Sequence, residues 1–553
     1  MRLDRRHLFK QGLLGLAGGT GLAGLLPGHS RSETQKTPSP ICDAREEPQW
    51  SRGPEGQRQA NLGDGLFLNP IVSGDRPDPS ILRVEKRGKV LFYMVFSTFD
   101  VYPGLLIWRS EDLLNWTPVT AALTTPVGSV WAPELCAHKG RYYLYFPTKA
   151  NGQPGSKTTN WVMTAPDPEG PWSEPLDLNL PRNIDPGHAV AEDGSRWLFL
   201  NGGQRVRLSD DGLRTLGVPE KVYDPWRYPS DWDVEGFSPE GPKIFRRGAW
   251  FYMVTAVGGT AGPPTGHMVI AARSRSLHGP WEHHPRNPLV RTQNRDELWW
   301  SRGHATIFEA SPGNWWAVYH GYERDFVTLG RQTLLAPVTW DADGWFDVGG
   351  GDLSKPLRVP FPGQAQGSFK PNALSDDFRD DTYGIKWAFF KPDAADKARI
   401  RRDNGQLILS ARGQSPRTSS PLCLTVGDRR YSVTCRIRLG EGTTAGVVLF
   451  YDDQLYCGLG FDAERFVTHQ YGLERGRPAN PYGRALWLRV LNRDHIVSYW
   501  LSKDGEQWDR FDRGMDVSGY HHNTKGGFLA LRPGLYAAGA GEATFSDLTY
   551  RAL

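Results

Sequence analysis

The chain has 553 residues, with 65 Lys+Arg against 61 Asp+Glu and a formal net charge of +4. That balance is too small for a protein that binds nucleic acid by neutralising phosphates, and 39% hydrophobic with 23% charged residues marks a globular rather than a disordered chain. Five cysteines, with no CxxC pair and no Cys/His cluster at zinc spacing, exclude a disulfide scaffold and a structural zinc site.

Residues 1–35 read as an export signal. Arg5-Arg6 stands in a basic start, MRLDRRHLFK, followed by the weakly apolar, Gly-rich GLLGLAGGTGLAGLL. The arginine pair resembles a twin-arginine signal, so the mature protein is expected in the periplasm or outside the cell. Beyond this segment no apolar run is long enough for a membrane span. Residues 36–62, rich in Ser, Pro, Gly and Gln, read as a linker.

Between 63 and 355 one pattern recurs: an aromatic strand, a turn, a second strand, then a Ser/Asp turn with Trp. VLFYMVFSTFD, GRYYLYFPTKA, SRWLFLNGG, GAWFYMVTAVGGT and GNWWAVYHGY open the five copies. Tyr93, Tyr143, Trp197, Tyr252 and Trp316 mark them, roughly 50–65 residues apart. Four short strands at such a period predict an all-β fold, a five-bladed β-propeller. Pro/Gly-rich residues 356–371 read as a second linker. From 372 to 553, segments such as YSVTCRIRLG and ALWLRVLN alternate inward and outward residues, which predicts an antiparallel β-sandwich. Cys423, Cys435 and Cys457 lie in its apolar strands and read as buried thiols.

A propeller brings the innermost strands of all its blades to one channel, so carboxylates at matching blade positions are candidates for shared chemistry. Asp78 in GDRPDPSIL, Asp185 in NIDPGHAV and Glu240 in SPEGPKIF each precede a strand and are followed by Pro or Gly-Pro. Glu235 is a close rival for Glu240. GQPGSKT (152–158) is not a phosphate loop, since its Lys does not follow Gly. The pairs His283-His284 and His521-His522 lack partners at ligand spacing and read as surface residues.

The ordered strings PDPSIL, STFDVYPGLLIWRSEDLLNW, WAPEL, IDP, EGPKIF, ARSRSLHGPWE, GHATIFE and LGRQTLLAPVTWDADGW resemble glycoside hydrolase family 43, the propeller xylosidases and arabinofuranosidases. The C-terminal part is similar to the concanavalin A-like jelly-roll sandwich appended to many of them. The resemblance implies an inverting exo-glycosidase acting on hemicellulose-derived oligosaccharides, with β-D-xylosidase first and α-L-arabinofuranosidase second. A carbohydrate-binding protein that has lost catalysis is the alternative from another class. Asp78 would be the general base, Glu240 the general acid and Asp185 the carboxylate that orients the acid and raises its pKa. An inverting pair stands about 6.5–9.5 Å apart. Arg331 would fork onto sugar hydroxyls. His304 would contact sugar or water, or help hold a central calcium as in some relatives. Trp131 and Phe99 would wall the sugar. No cofactor is expected to be required. Two departures stand out. Asp185-Pro186-Gly187 replaces the family's Asp-Pro-Ser, and Ala256-Val257-Gly258-Gly259 replaces Ala-Glu-Gly-Gly. The stretch 217–242 is also longer and more aromatic than usual.

Overall fold

Lys89–Val95 (KVLFYMV) is buried almost along its length, and so are Trp250–Val257 and Asn314–Glu323. Branched and aromatic runs buried on both faces belong to strands sandwiched between other sheets. A computed structural model describes residues 47–149, 158–363 and 372–553 of the chain. The export signal expected at 1–35 lies outside them, as do linker residues 36–46, the Gly-rich 152–157 and the 364–371 part of the second linker.

Five antiparallel meanders follow one another. They start at Ser80–Lys86, Glu134–His138, Gly187–Val190, Glu240–Arg247 and Trp299–Ser311, and each winds outward through neighbouring strands. The first buries Tyr93 and Val95 against Leu144 and Phe146 of the second. Tyr145 of the second meets Leu198 of the third, and Phe199 of the third meets Met253 of the fourth. Val254 of the fourth meets Ala317 of the fifth. Phe92 and Met94 of the first pack with Trp316 and Val318 of the fifth, so the series closes on itself as a β-propeller. Leu66–Phe67 pairs with Leu357–Arg358, tying the start of the propeller to its end.

The C-terminal sandwich has an eight-stranded and a seven-stranded sheet around one apolar core. Cys423, Cys435 and Cys457 are buried in it, as their strands predict. One strand of the larger sheet is borrowed. Val101–Tyr102, from the first meander, pairs with Trp387–Phe390. This shared ladder fixes the sandwich over one end of the first sheet, because a strand edge left unpaired would cost its backbone hydrogen bonds.

Residues 48–62 were expected as linker but are folded. Arg58 is buried, donating to Glu323 Oε2 at 2.8 Å and Gln332 Oε1 at 2.6 Å, while its backbone N–H donates to Asp428 of the sandwich at 3.0 Å. Composition could not show this, because the partners of Arg58 lie 265 to 370 residues further along the chain.

Candidate active site

Asp78 leads into the innermost strand of the first sheet, Asp185 into that of the third, and Glu240 opens that of the fourth. His304 lies on the innermost strand of the fifth sheet, and Arg331 opens that sheet's third strand. The φ angles are +56° for Asp78, +57° for Asp185, +55° for His304 and +48° for Phe99. Non-glycine residues held there carry strain, which clusters where side chains must be aimed rather than merely packed.

Asp78 is 5% exposed and surrounded by donors. Arg331 Nη1 donates to Oδ1 at 2.9 Å and Nη2 to Oδ2 at 3.3 Å, and the Ser97 hydroxyl donates to Oδ2 at 2.5 Å. The His320 Nδ1 stands 3.1 Å from both the Asp78 backbone nitrogen and Oδ1. It accepts from the first in one tautomer and donates to the second in the other, and in neither does it carry charge, since burial pulls its pKa down to about 4. Burial would raise the Asp78 pKa, but the Arg331 guanidinium and the hydrogen bonds outweigh it and hold the carboxyl well below its ordinary range.

Asp185, Glu240 and His304 offer ligand atoms within 4.8 Å of one another, and His304 Nδ1 is 3.4 Å from Asp78 Oδ1. The three carboxyls therefore meet around one imidazole. Burial first, then the neighbouring Asp185 and Asp78 charges, push Glu240 well above its ordinary range. Burial and the Asp78 charge also raise Asp185. In a desolvated site each of these two carboxyls disfavours ionisation of the other, while Asp78 is held toward its charged form.

The base of the cluster is a buried ion pair. Lys243, two residues into the strand from Gly241, donates to Glu134 Oε2 at 2.5 Å and to the Pro133 carbonyl at 2.9 Å. Glu134 also accepts from the Ser80 hydroxyl at 3.1 Å and from the His188 backbone at 3.3 Å. Ser80, Glu134, His188 and Lys243 belong to the first four sheets, so this network sets the spacing of the strands that carry the acids. Gly187, the departure from Asp-Pro-Ser, has a packing reason. A Cβ there would lie 1.9 Å from the Pro242 carbonyl oxygen. Gly241, at φ +61°, leaves room for the His304 ring, whose Nε2 would be 2.7 Å from an added Cβ.

Phe99 is buried and Trp131 half-buried, and both touch the sandwich core. Phe99 stacks on Phe528 of the sandwich with centroids 6.0 Å apart, and the Arg331 guanidinium lies 5.6 Å from Phe99 and 5.2 Å from Phe528. His522 in turn stacks on Phe528 at 3.8 Å. The sandwich thus supplies a ring to the wall beside Arg331. The histidine pairs need correction. His283 is exposed, but His284 is 2% exposed and lies edge-on to Trp345 at 4.6 Å, while His522 is half-buried. Glu235 is exposed and accepts from the Ala261 N–H at 2.9 Å, outside the cluster of three acids but within electrostatic reach of Glu240. Val257 is fully buried under Trp226, Tyr228, Trp232 and Phe237 of the long aromatic stretch, an environment in which a glutamate would be desolvated.

Sequence reasoning missed Ser97, Glu134, Lys243, His320 and Phe528. Glu134 and Lys243 stand inside the quoted strings WAPEL and EGPKIF, so a signal existed. Phe528 and His522 carry none, because their role depends on how the sandwich docks. Asp185, Glu240 and His304 are spaced as metal ligands are, offering two carboxyls and one imidazole nitrogen.

A propeller with an ionised carboxylate facing a proton-holding carboxyl pair, capped by a sandwich, is the architecture of an acid–base glycosidase. The chain belongs to glycoside hydrolase family 43. The model for glycosyl hydrolases family 43 matches residues 67–346, and that for the beta xylosidase C-terminal concanavalin A-like domain matches residues 375–551. A non-reducing end alpha-L-arabinofuranosidase of Bacteroides ovatus is 32% identical over 419 residues, 71% of this chain and 75% of that protein. A beta-xylosidase of Bacillus subtilis is 28% identical, over 58% of this chain and 64% of its own. The crystal structure of a family 43 protein of Bacillus licheniformis superposes with a TM-score of 0.76 at 26% identity, covering 88% of this chain and all of that one.

Proposed function

We propose that this glycoside hydrolase is an inverting exo-enzyme that releases pentoses from hemicellulose-derived oligosaccharides, with β-D-xylosidase the leading activity and α-L-arabinofuranosidase the second. The observation that carries it is the opposed protonation of the carboxyls. Asp78 is held charged by Arg331 and so takes a proton from water. Glu240, pushed well above its ordinary range by burial and the Asp185 charge, holds its proton and so gives it to the leaving oxygen. Asp185 contributes the like charge that raises Glu240. The water's oxygen forms the new bond to the anomeric carbon as the glycosidic C–O bond breaks, Asp78 takes the water's proton, and the Glu240 proton leaves with the aglycone. Both proton transfers run through the chain's own side chains. Beta-xylosidases and an arabinofuranosidase among the relatives support the pentose class. Arg331, forked onto Asp78, keeps further N–H donors, and its Nε–H has no partner among the described residues.

The test compares xylose and arabinose release from aryl glycosides, with the anomer of the first-formed sugar read by NMR. Inversion gives α-xylose from a β-xyloside. Glu240→Ala is expected to lose most activity on a poor leaving group and far less on a dinitrophenyl aglycone, which needs no proton. Full activity of the variant on both would refute the assignment. Oligosaccharide binding without product would favour the non-catalytic reading. Arg5-Arg6 and the apolar segment after it support export by the twin-arginine route, which Lys-Lys replacement of the pair is expected to block.

A further inference from the structure

Behind Asp78, where propeller and sandwich meet, lies a cavity of about 70 Å³, bounded by Asp75, Arg76, Ser97 and Thr98 on one side and Lys386 and Arg532 on the other. It is several times the space one water needs. Arg532 is 3% exposed, yet its guanidinium makes a single hydrogen bond, Nη2 to the Tyr451 carbonyl at 3.4 Å, and its Nε has no partner. Arg76 is alike. Nη1 donates to the Asp75 carbonyl at 2.7 Å, Nε is unpartnered, and the guanidinium rests 5.2 Å from the Trp108 ring. Among the described residues neither guanidinium forms an ion pair. The one acidic side chain lining the cavity, Asp75, accepts from the Arg331 backbone at 3.2 Å. Asp100, also within electrostatic reach of Arg532, is paired with Lys391 at 3.7 Å.

A buried and a half-buried guanidinium line the cavity with one carboxylate, Asp75, and leave donors open, an arrangement that favours a counter-charge. We propose that this cavity binds a small monovalent anion, a halide or a short carboxylate, held between Arg76 and Arg532. The anion joins the two domains and completes the donors that each arginine leaves open. It also stands close behind the base. Arg76 is two residues from Asp78, and the Ser97 hydroxyl that lines the cavity donates to Asp78 Oδ2. Its occupancy therefore stiffens the segment that aims Asp78.

The experiment titrates the full chain with sodium chloride, sodium acetate and sodium gluconate at constant ionic strength, reading the thermal midpoint and the kcat/KM. Gluconate is too large to enter. A saturable rise in midpoint with chloride or acetate, absent with gluconate, is expected, and the arm that responds identifies the class of anion. Arg532→Gln is expected to abolish the saturable part, and Arg532→Lys to keep some of it. A crystal of the unaltered protein soaked in bromide is expected to show an anomalous peak between the two guanidiniums. Equal curves in all three salts, saturable dependence surviving in Arg532→Gln, or a bromide-soaked crystal with no peak there would each overturn the proposal. Because the midpoint is read without substrate, failure of the glycosidase reading would leave this test intact.

Discussion

Arg331 holds both carboxylate oxygens of Asp78, at 2.9 and 3.3 Å, from a strand that begins 253 residues further along the chain. The fork both fixes the rotamer and supplies the charge that outweighs desolvation. Replacing Arg331 by Met removes the strongest opponent of burial, so the Asp78 pKa rises and the acidic limb of kcat/KM moves to higher pH. A fall of about 100-fold or more at the optimum is expected. Arg331→Lys keeps the charge without the fork and is expected to fall between the two. An unmoved acidic limb in the Met variant would disprove the electrostatic role.

Stability should respond to pH through the acid pair in the opposite sense to an ordinary paired carboxylate. The Glu240 pKa is raised from 4.5 in the folded protein, so above 4.5 the unfolded chain loses its proton first and stability falls as pH rises toward the folded value. Glu240→Gln removes that penalty. Its thermal midpoint is expected to exceed that of the unaltered protein at pH 8 and to match it at pH 4, as calorimetry can show. Asp78 contributes with the other sign, stabilising above 3.8 and losing that contribution as pH falls through its depressed folded value.

The Lys243–Glu134 pair lies beneath the acids with side chains 5% and 11% exposed. Lys243→Met leaves a buried carboxylate without its counter-charge and is expected to cost about 3–5 kcal/mol by urea denaturation. Lys243→Met with Glu134→Gln should recover a large part of that. It should also raise the Asp185 pKa, which the lysine opposes, so the pH profile of kcat/KM would change even where stability is restored. A double variant as unstable as the single one would argue against an ion-pair origin.

Phe528 reaches from the sandwich to Phe99 and Arg331. Phe528→Ala removes an aromatic pair of about 0.5–1.5 kcal/mol, so kcat/KM is expected to fall by roughly 3- to 10-fold while the sandwich stays folded. An unchanged kcat/KM would confine the ring to packing.

Much was readable from residues alone. The repeat of aromatic strands announces the meanders because an inner strand buried on both faces must be apolar along its length. Asp78, Asp185 and Glu240 announce themselves by recurring before such strands. What could not be read depended on partners far off in the chain. The fork of Arg331 onto Asp78 joins residues 253 positions apart. His284 reads as a surface residue until Trp345 covers it. The polar stretch around Arg58 reads as linker until Glu323 is found buried beside it.

The order of residues by itself determined the local conformations, the repeating unit and which carboxylates stand at the start of the inner strands, since these follow from short-range patterning and from side-chain chemistry. Tertiary structure alone decided in which direction each carboxyl's pKa moves, because a pKa is set by burial and by charges that arrive from other sheets. It also decided that a ring from the sandwich stands at the site. That contact exists only because Val101–Tyr102 extends the sandwich's sheet, and no local signal encodes which edge a short strand will join.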